Sequence, residues 1–160
     1  MISNLDRSQR LLVGHGALIL LVGFLVGFGF LFFLIGRVEL WPFGYIEYQL
    51  PGSYDAWRMA HMEGIANGLM MWILAALMPV LSNFIKHTYR LAVGSAIVSW
   101  TIVIASCLDP IFPNARGLAF TPESNVFSDT AFFLFYIGIA IVFWIVITIA
   151  VQSFGSHPEK

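Results

Sequence analysis

Few residues in this chain can do chemistry, and most of them fall in one stretch, AWRMAHMEGIANGLMM, which carries Arg58, His61, Glu63 and Asn67. His61 stands out. Imidazole is a common metal ligand and a proximal ligand of noncovalent haem. Ala60, Gly64 and Gly68 recur every fourth residue beside it, stripping side chains from one stripe of a helix and leaving room for a flat macrocycle. The same spacing also makes a helix-packing face of the small-xxx-small kind, with His61 hydrogen-bonded to a neighbouring helix. The residues alone leave both readings open. Asn67 lies about 120° around a regular helix from His61, so the two do not face one metal from the same straight helix. A ring-shaped oligomer reconciles them, one face of the helix serving one interface and the other face the next; interhelical hydrogen bonding is the plainer duty for Asn67. Arg58, one turn before His61, is placed to pair with a haem propionate, Glu63 or Asp55, or to snorkel to an interface.

Other polar candidates are sparse. His15 sits in GHG, and Ser95, Ser99, Thr101, Ser106 and Cys107 share a later apolar run. His15 and His61 lie toward opposite ends of their segments, which argues against one iron held by both. His87 and His157 are surface residues. Cys107 is the single cysteine, so there is no intramolecular disulfide, no CxxC metal pair and no CxxCH for covalent haem attachment.

The elements that position these residues follow from composition. The 160 residues are 59% hydrophobic and 11% charged, with a formal net charge of -1 and a mean hydropathy of +0.83. A soluble domain carries about a quarter charged residues. Scattered Lys and Arg offer no basic stripe, which excludes nucleic acid as a partner. About 20 apolar residues cross a bilayer as a helix, and four stretches qualify: about 11–35, 57–84, 91–108 and 127–154. The first is too long for a signal-peptide core and reads as a retained helix. Pro79 should kink the second helix or mark the beginning of its end, and Ser128 and Asp129 supply capping chemistry near the start of the fourth. The expected fold is therefore all-α, an integral membrane four-helix transmembrane bundle forming a single domain over 1–160.

Arg7, Arg10, Lys86, Arg90 and Lys160 fall in the N-terminus, the second connection and the C-terminus. The first and third connections collect Glu39, Glu47, Asp55, Asp109, Glu123 and Asp129. By the positive-inside rule both termini are cytoplasmic, with a bacterial inner membrane as the expected location. The two acidic connections are also the long ones, so function is expected on that face. The rings of Trp41, Phe43, Tyr45, Tyr48, Tyr54 and Trp57 read as an aromatic belt rather than a substrate lid.

The segment PGSYDAWRMAHMEGIANGLMM, together with GHG and PNARGLAFTPESNVFSD, resembles the membrane-bound styrene oxide isomerase family, in the same order along the chain. The resemblance implies a four-helix subunit forming a homotrimer, with haem b near the subunit interfaces. It implies redox-neutral conversion of a small apolar aryl epoxide to an aldehyde, by ferric-haem Lewis-acid ring opening and a 1,2-hydride shift. By that pattern His61 is the axial ligand of the haem iron and Asn67 the active-site asparagine; the residue reading above adds Arg58, Gly64 and Gly68 beside the cofactor. The family's third-helix tyrosine has no counterpart in SWTIVIASCLDP, where Ser106 or Cys107 stands at that level and Tyr136 is a remote source of a phenol. Trp72, Trp100, Phe132, Phe133 and Tyr136 are candidate walls against developing positive charge.

Two other classes fit the residues. A haem b electron carrier or sensor requires a second strong ligand such as Met59, Met62, Met70 or Met71. A cofactor-free scaffold or transport subunit uses His61 and Asn67 only to join helices.

Overall fold

A chain with so few polar side chains has little besides itself to satisfy its backbone N–H and C=O groups, and long helices close those bonds within each apolar run. The computed structural model describes residues 4–112, 114–120, 122 and 124–155; Glu123, His157 and Lys160 lie outside them. The elements are α1 (Asn4–Ile35), β1 (Val38–Glu39), β2 (Tyr45–Ile46), α2 (Tyr54–Leu81), α3 (Thr88–Ile111) and α4 (Val126–Gly155). All four helices are long and apolar enough to cross a membrane. Among the described residues the one departure from all-α is a minimal antiparallel ribbon in the first connection, pairing Val38 with Ile46 and Glu39 with Tyr45.

The helix limits differ from the expected ones for local reasons. α1 begins at Asn4 rather than near Leu11, because its polar first turns are packed: Ser8 Oγ donates to Thr88 Oγ1 at 3.5 Å and Gln9 Nε2 to the Ala75 carbonyl at 3.0 Å. α2 begins at Tyr54, where the Ser53 hydroxyl accepts from Ala56 N at 3.2 Å as an N-cap. It ends at Leu81, two residues after Pro79. α3 runs through Pro110 to Ile111. The cap of α4 is not Ser128 or Asp129, which lie inside the helix; Asn125 Oδ1 accepts from the N–H groups of Phe127 and Ser128, each at 3.0 Å. A side chain caps the N–H groups two and three positions downstream, which Ser128 and Asp129 stand too late to do.

α1 packs most extensively on α2, and α3 links that pair to α4. α1 and α2 run antiparallel, as shown by Trp72 Nε1–H donating to the Val13 carbonyl at 3.1 Å near one end and Gly29 lying against Trp57 near the other. The buried apolar core gathers toward the α2–α3 turn, around Leu12, Met71, Met78, Leu91 and Ile145. At the opposite end Trp57 is buried rather than part of a belt, its Nε1–H donating to the Pro51 carbonyl at 2.8 Å. Trp41 and Phe43 there are almost fully exposed.

Candidate functional site

The glycine stripe of α2 settles its own duty. A Cβ on Gly64 would stand 2.5 Å from Gly23 Cα, and one on Gly68 would stand 2.5 Å from Leu20 Cγ and 3.0 Å from the Gly16 carbonyl oxygen. Gly64 and Gly68 are therefore where α1 and α2 touch backbone to backbone, and they do not line a macrocycle. The expectation that they do is corrected: the same four-residue spacing that clears room for a flat ring also lets a second helix approach, and α1 takes that room.

His61 lies one turn earlier, half-buried on the same side of α2, with its ring laid over Gly27. Its Nδ1 is 2.9 Å from the Gly23 carbonyl oxygen. A carbonyl only accepts, so Nδ1 carries a proton, and in the neutral ring the lone pair is on Nε2. This is the tautomer and the orienting bond found in imidazoles that ligate metal through Nε2. Phe24 and Leu31, one turn to either side of Gly27, are exposed apolar residues. A half-buried imidazole with a fixed lone pair and an apolar surround fits the proximal side of a haem. Arg58 is exposed and reaches Asp55 Oδ1 at 3.8 Å, a pair worth less than about 1 kcal/mol that leaves the guanidinium available to an anionic group.

Asn67 faces elsewhere. It lines a groove of about 380 Å³ between α2, α3 and α4, with Met70, Ser95, Ser99, Ile102 and Ile145 among its neighbours. Its Nδ2 donates twice to Glu63, to the backbone carbonyl at 2.9 Å and to Oε2 at 3.1 Å. The first bond fixes the amide orientation, because a carbonyl cannot donate. Both N–H groups are thereby engaged, and Oδ1 is the atom left to meet a ligand. Glu63, expected only as one possible partner of Arg58, instead holds Asn67 while Arg58 meets Asp55; its spacing of four from Asn67 is the signal that could have found this.

Ser99, Val103, Ser106 and Pro110 form one buried stripe of α3. The Ser106 hydroxyl is fully buried with no hydrogen-bond partner among the described residues. It does not bond back to the preceding turn as Ser95 does to the Leu91 carbonyl at 2.9 Å. Pro110, four residues on, also lacks the N–H that would close the helical bond to the Ser106 carbonyl. An orphaned hydroxyl inside an apolar bundle is costly, and it singles out Ser106 over Cys107, which follows it around the helix and is only partly buried.

Several candidates do not join either place. Trp100 Nε1–H donates to His15 Nδ1 at 3.0 Å, tying both to the α1–α3 contact. Trp72 is engaged with Val13. Phe132, Phe133 and Tyr136 cluster on α4, with Tyr136 66% exposed and stacked on Phe132. None of these rings lines the Asn67 groove, whose walls are aliphatic; the expectation that they wall a charged intermediate is corrected for the single subunit. Tyr136 likewise supplies no phenol there. Of the methionines, Met71 is buried in the core and Met70 lines the groove, while Met62 is 58% exposed. His61 and Asn67 are thus on different faces of α2, as their spacing requires.

Residues 8–154 match the family model described as styrene oxide isomerase. The chain is also 31% identical over 119 residues to the styrene-oxide isomerase of Pseudomonas fluorescens, a match covering 74% of this chain and 70% of that protein.

Proposed function

This chain belongs to the styrene oxide isomerase family and is an isomerase acting on an epoxide, and from that premise we propose that it converts a small apolar aryl epoxide, styrene oxide or a close analogue, to an aldehyde with haem b held by His61. The observation that carries the cofactor assignment is the 2.9 Å bond from His61 Nδ1–H to the Gly23 carbonyl, which leaves Nε2 ready to bind iron. The four helices would cross a bacterial inner membrane with both termini cytoplasmic, since Arg7, Arg10, Lys86 and Arg90 cluster at one end. An apolar epoxide would then reach the protein through the lipid.

When bound, a ferric haem with one protein ligand supplies an open Lewis-acidic position suited to an epoxide oxygen. Opening the benzylic C–O bond leaves a carbon short of electrons; a hydride moves to it from the neighbouring carbon, the C=O bond forms, and no electron is gained or lost overall. The chain's part is to hold, orient and keep dry. Gly23 fixes the imidazole plane, and Arg58 is free to meet a propionate. The aliphatic groove beside Asn67 excludes the water that would trap the open form as a diol. Glu63 holds the Asn67 amide so that its carbonyl dipole, negative end outward, faces developing positive charge. The Ser106 hydroxyl, buried and without a partner among the described residues, does not line the Asn67 groove, and in this reading it stands in for the family's tyrosine only if the pocket extends to it.

Because His61 and Asn67 look out from different faces of α2, the complete site in this reading takes two subunits of a homotrimer, the His61 face of one set against the Asn67 groove of the next. The test is direct. Protein purified after expression with ample haem should show a Soret band that His61→Ala abolishes, and should turn an aryl epoxide into the corresponding aldehyde. Colourless, iron-free protein would remove the haem assignment, and recovery of unchanged epoxide from haem-loaded protein would remove the substrate assignment.

A further inference from the structure

A second cavity, of about 400 Å³, opens at the other end of the bundle, between the α2–α3 turn and the last turns of α4. Lys86, His87 and Arg90 converge on it from the turn, all three exposed. Lys86 and Arg90 belong to neither of the ion pairs seen among the described residues, Arg37–Glu39 and Arg58–Asp55. His87 stands at the N-cap of α3 and its side chain makes no capping bond, so the positive end of a 24-residue helix adds to the two side-chain charges. The wall opposite comes from Trp144, Thr148 and Gln152, spaced four apart along one stripe of α4 and increasingly polar toward the helix end. The floor is apolar: Ile85 and Leu91 are buried.

We propose that this cavity binds the phosphate headgroup of an anionic phospholipid, with Lys86 and Arg90 on the phosphate and Trp144 against the upper acyl chain. The charge calls for an anion. The gradient along α4, from Trp144 through Thr148 to Gln152, calls for an amphiphile, because a free phosphate has no use for the indole or for the apolar floor. Basic side chains beside the bilayer surface attract anionic lipid, and two of them focused on one cavity with an apolar floor should bind a single lipid selectively. The site is remote from His61 and Asn67 and does not depend on how the epoxide is handled.

The experiment compares thermal unfolding of the full detergent-purified chain after adding phosphatidylglycerol, phosphatidylcholine of the same acyl chains, or inorganic phosphate. Phosphatidylglycerol alone should raise Tm, and Lys86→Gln with Arg90→Gln should weaken that preference about 30-fold. Arg7→Gln with Arg10→Gln removes the same charge from the same end and should leave the preference intact. Native mass spectrometry of the unmutated chain, which needs no variant to fold, should find one phosphatidylglycerol retained per subunit. Equal response to both lipids, reproduction by phosphate alone, equal loss in the two double variants, or no retained phosphatidylglycerol each overturns the proposal.

Discussion

Gly27→Ala is the sharpest probe of how His61 is held. A Cβ there would lie 2.8 Å from both Cε1 and Nδ1 of the imidazole, whereas carbon atoms rest at 3.5 Å or more, so the ring must retreat by about 0.7 Å. A retreat straight away from α1 lengthens its 2.9 Å bond to the Gly23 carbonyl by up to about 0.7 Å, past the range of a good hydrogen bond. Losing the partner that orients a metal-ligating histidine costs about 10- to 100-fold in affinity. Titrating haem into apo-protein and following the Soret band should therefore show a 10- to 100-fold weaker Kd for Gly27→Ala, with circular dichroism unchanged. Two other glycines of α1 serve as controls. A Cβ on Gly14 meets nothing within 4 Å, and one on Gly29 meets Trp57 rather than His61. Gly14→Ala should bind haem like the parent, and Gly29→Ala should lose stability more than haem affinity. If Gly27→Ala matches the parent in Kd and spectrum, the imidazole is not oriented by α1 and the argument for Nε2 ligation fails.

The remaining expectations are these. Glu63→Gln keeps an acceptor for the Asn67 amide and should retain turnover, whereas Glu63→Ala should lower kcat on the order of tenfold with haem content unchanged; equal activity in both would show that Asn67 needs no support. Ser106→Ala removes an unpaired buried hydroxyl and should raise stability by about 1 kcal/mol, and a fall in Tm instead would mean that the hydroxyl has a structural partner. Asn125→Ala should cost about 1 kcal/mol, seen as a lower Tm, through loss of the α4 cap; an unchanged Tm would place the cap elsewhere.

The number of helices was legible because each apolar run exceeds the length that any other element would need, and the connections betray themselves by charge. The ends were less so. Asn4 to Arg10 looks like a polar tail until Thr88 and Ala75, far along the chain, offer its Ser8 and Gln9 something to bond. The Ala60, Gly64 and Gly68 stripe could not be assigned from α2, since one periodicity serves a macrocycle and a partner helix equally; Gly16 and Gly23 on α1 decide it. His61 was identifiable by type and motif, but its protonated nitrogen depends on a carbonyl 38 residues away. The Glu63 and Asn67 bond needed no tertiary information and was within reach of helical spacing alone. No pattern in SWTIVIASCLDP marks Ser106 as orphaned, because that depends on what surrounds it in three dimensions.

α2 carries two jobs that a single helix can combine only by separating them around its axis. On one side the glycines bring α1 close enough for a backbone carbonyl to reach a side-chain imidazole, a contact that any β-carbon at Gly23 or Gly64 would push apart. On another side the same helix uses Glu63 to turn an amide toward an aliphatic groove. Close α1–α2 packing is thus what makes the imidazole rigid, and it also uses up the face on which a second reactive group could have been mounted. A group that must approach the His61 ligand from across an open coordination position has to come from outside this helix pair. That constraint, set by the width of a helix, leaves α3, α4 or another copy of the chain to supply it, and the two-subunit site proposed above takes the last of these.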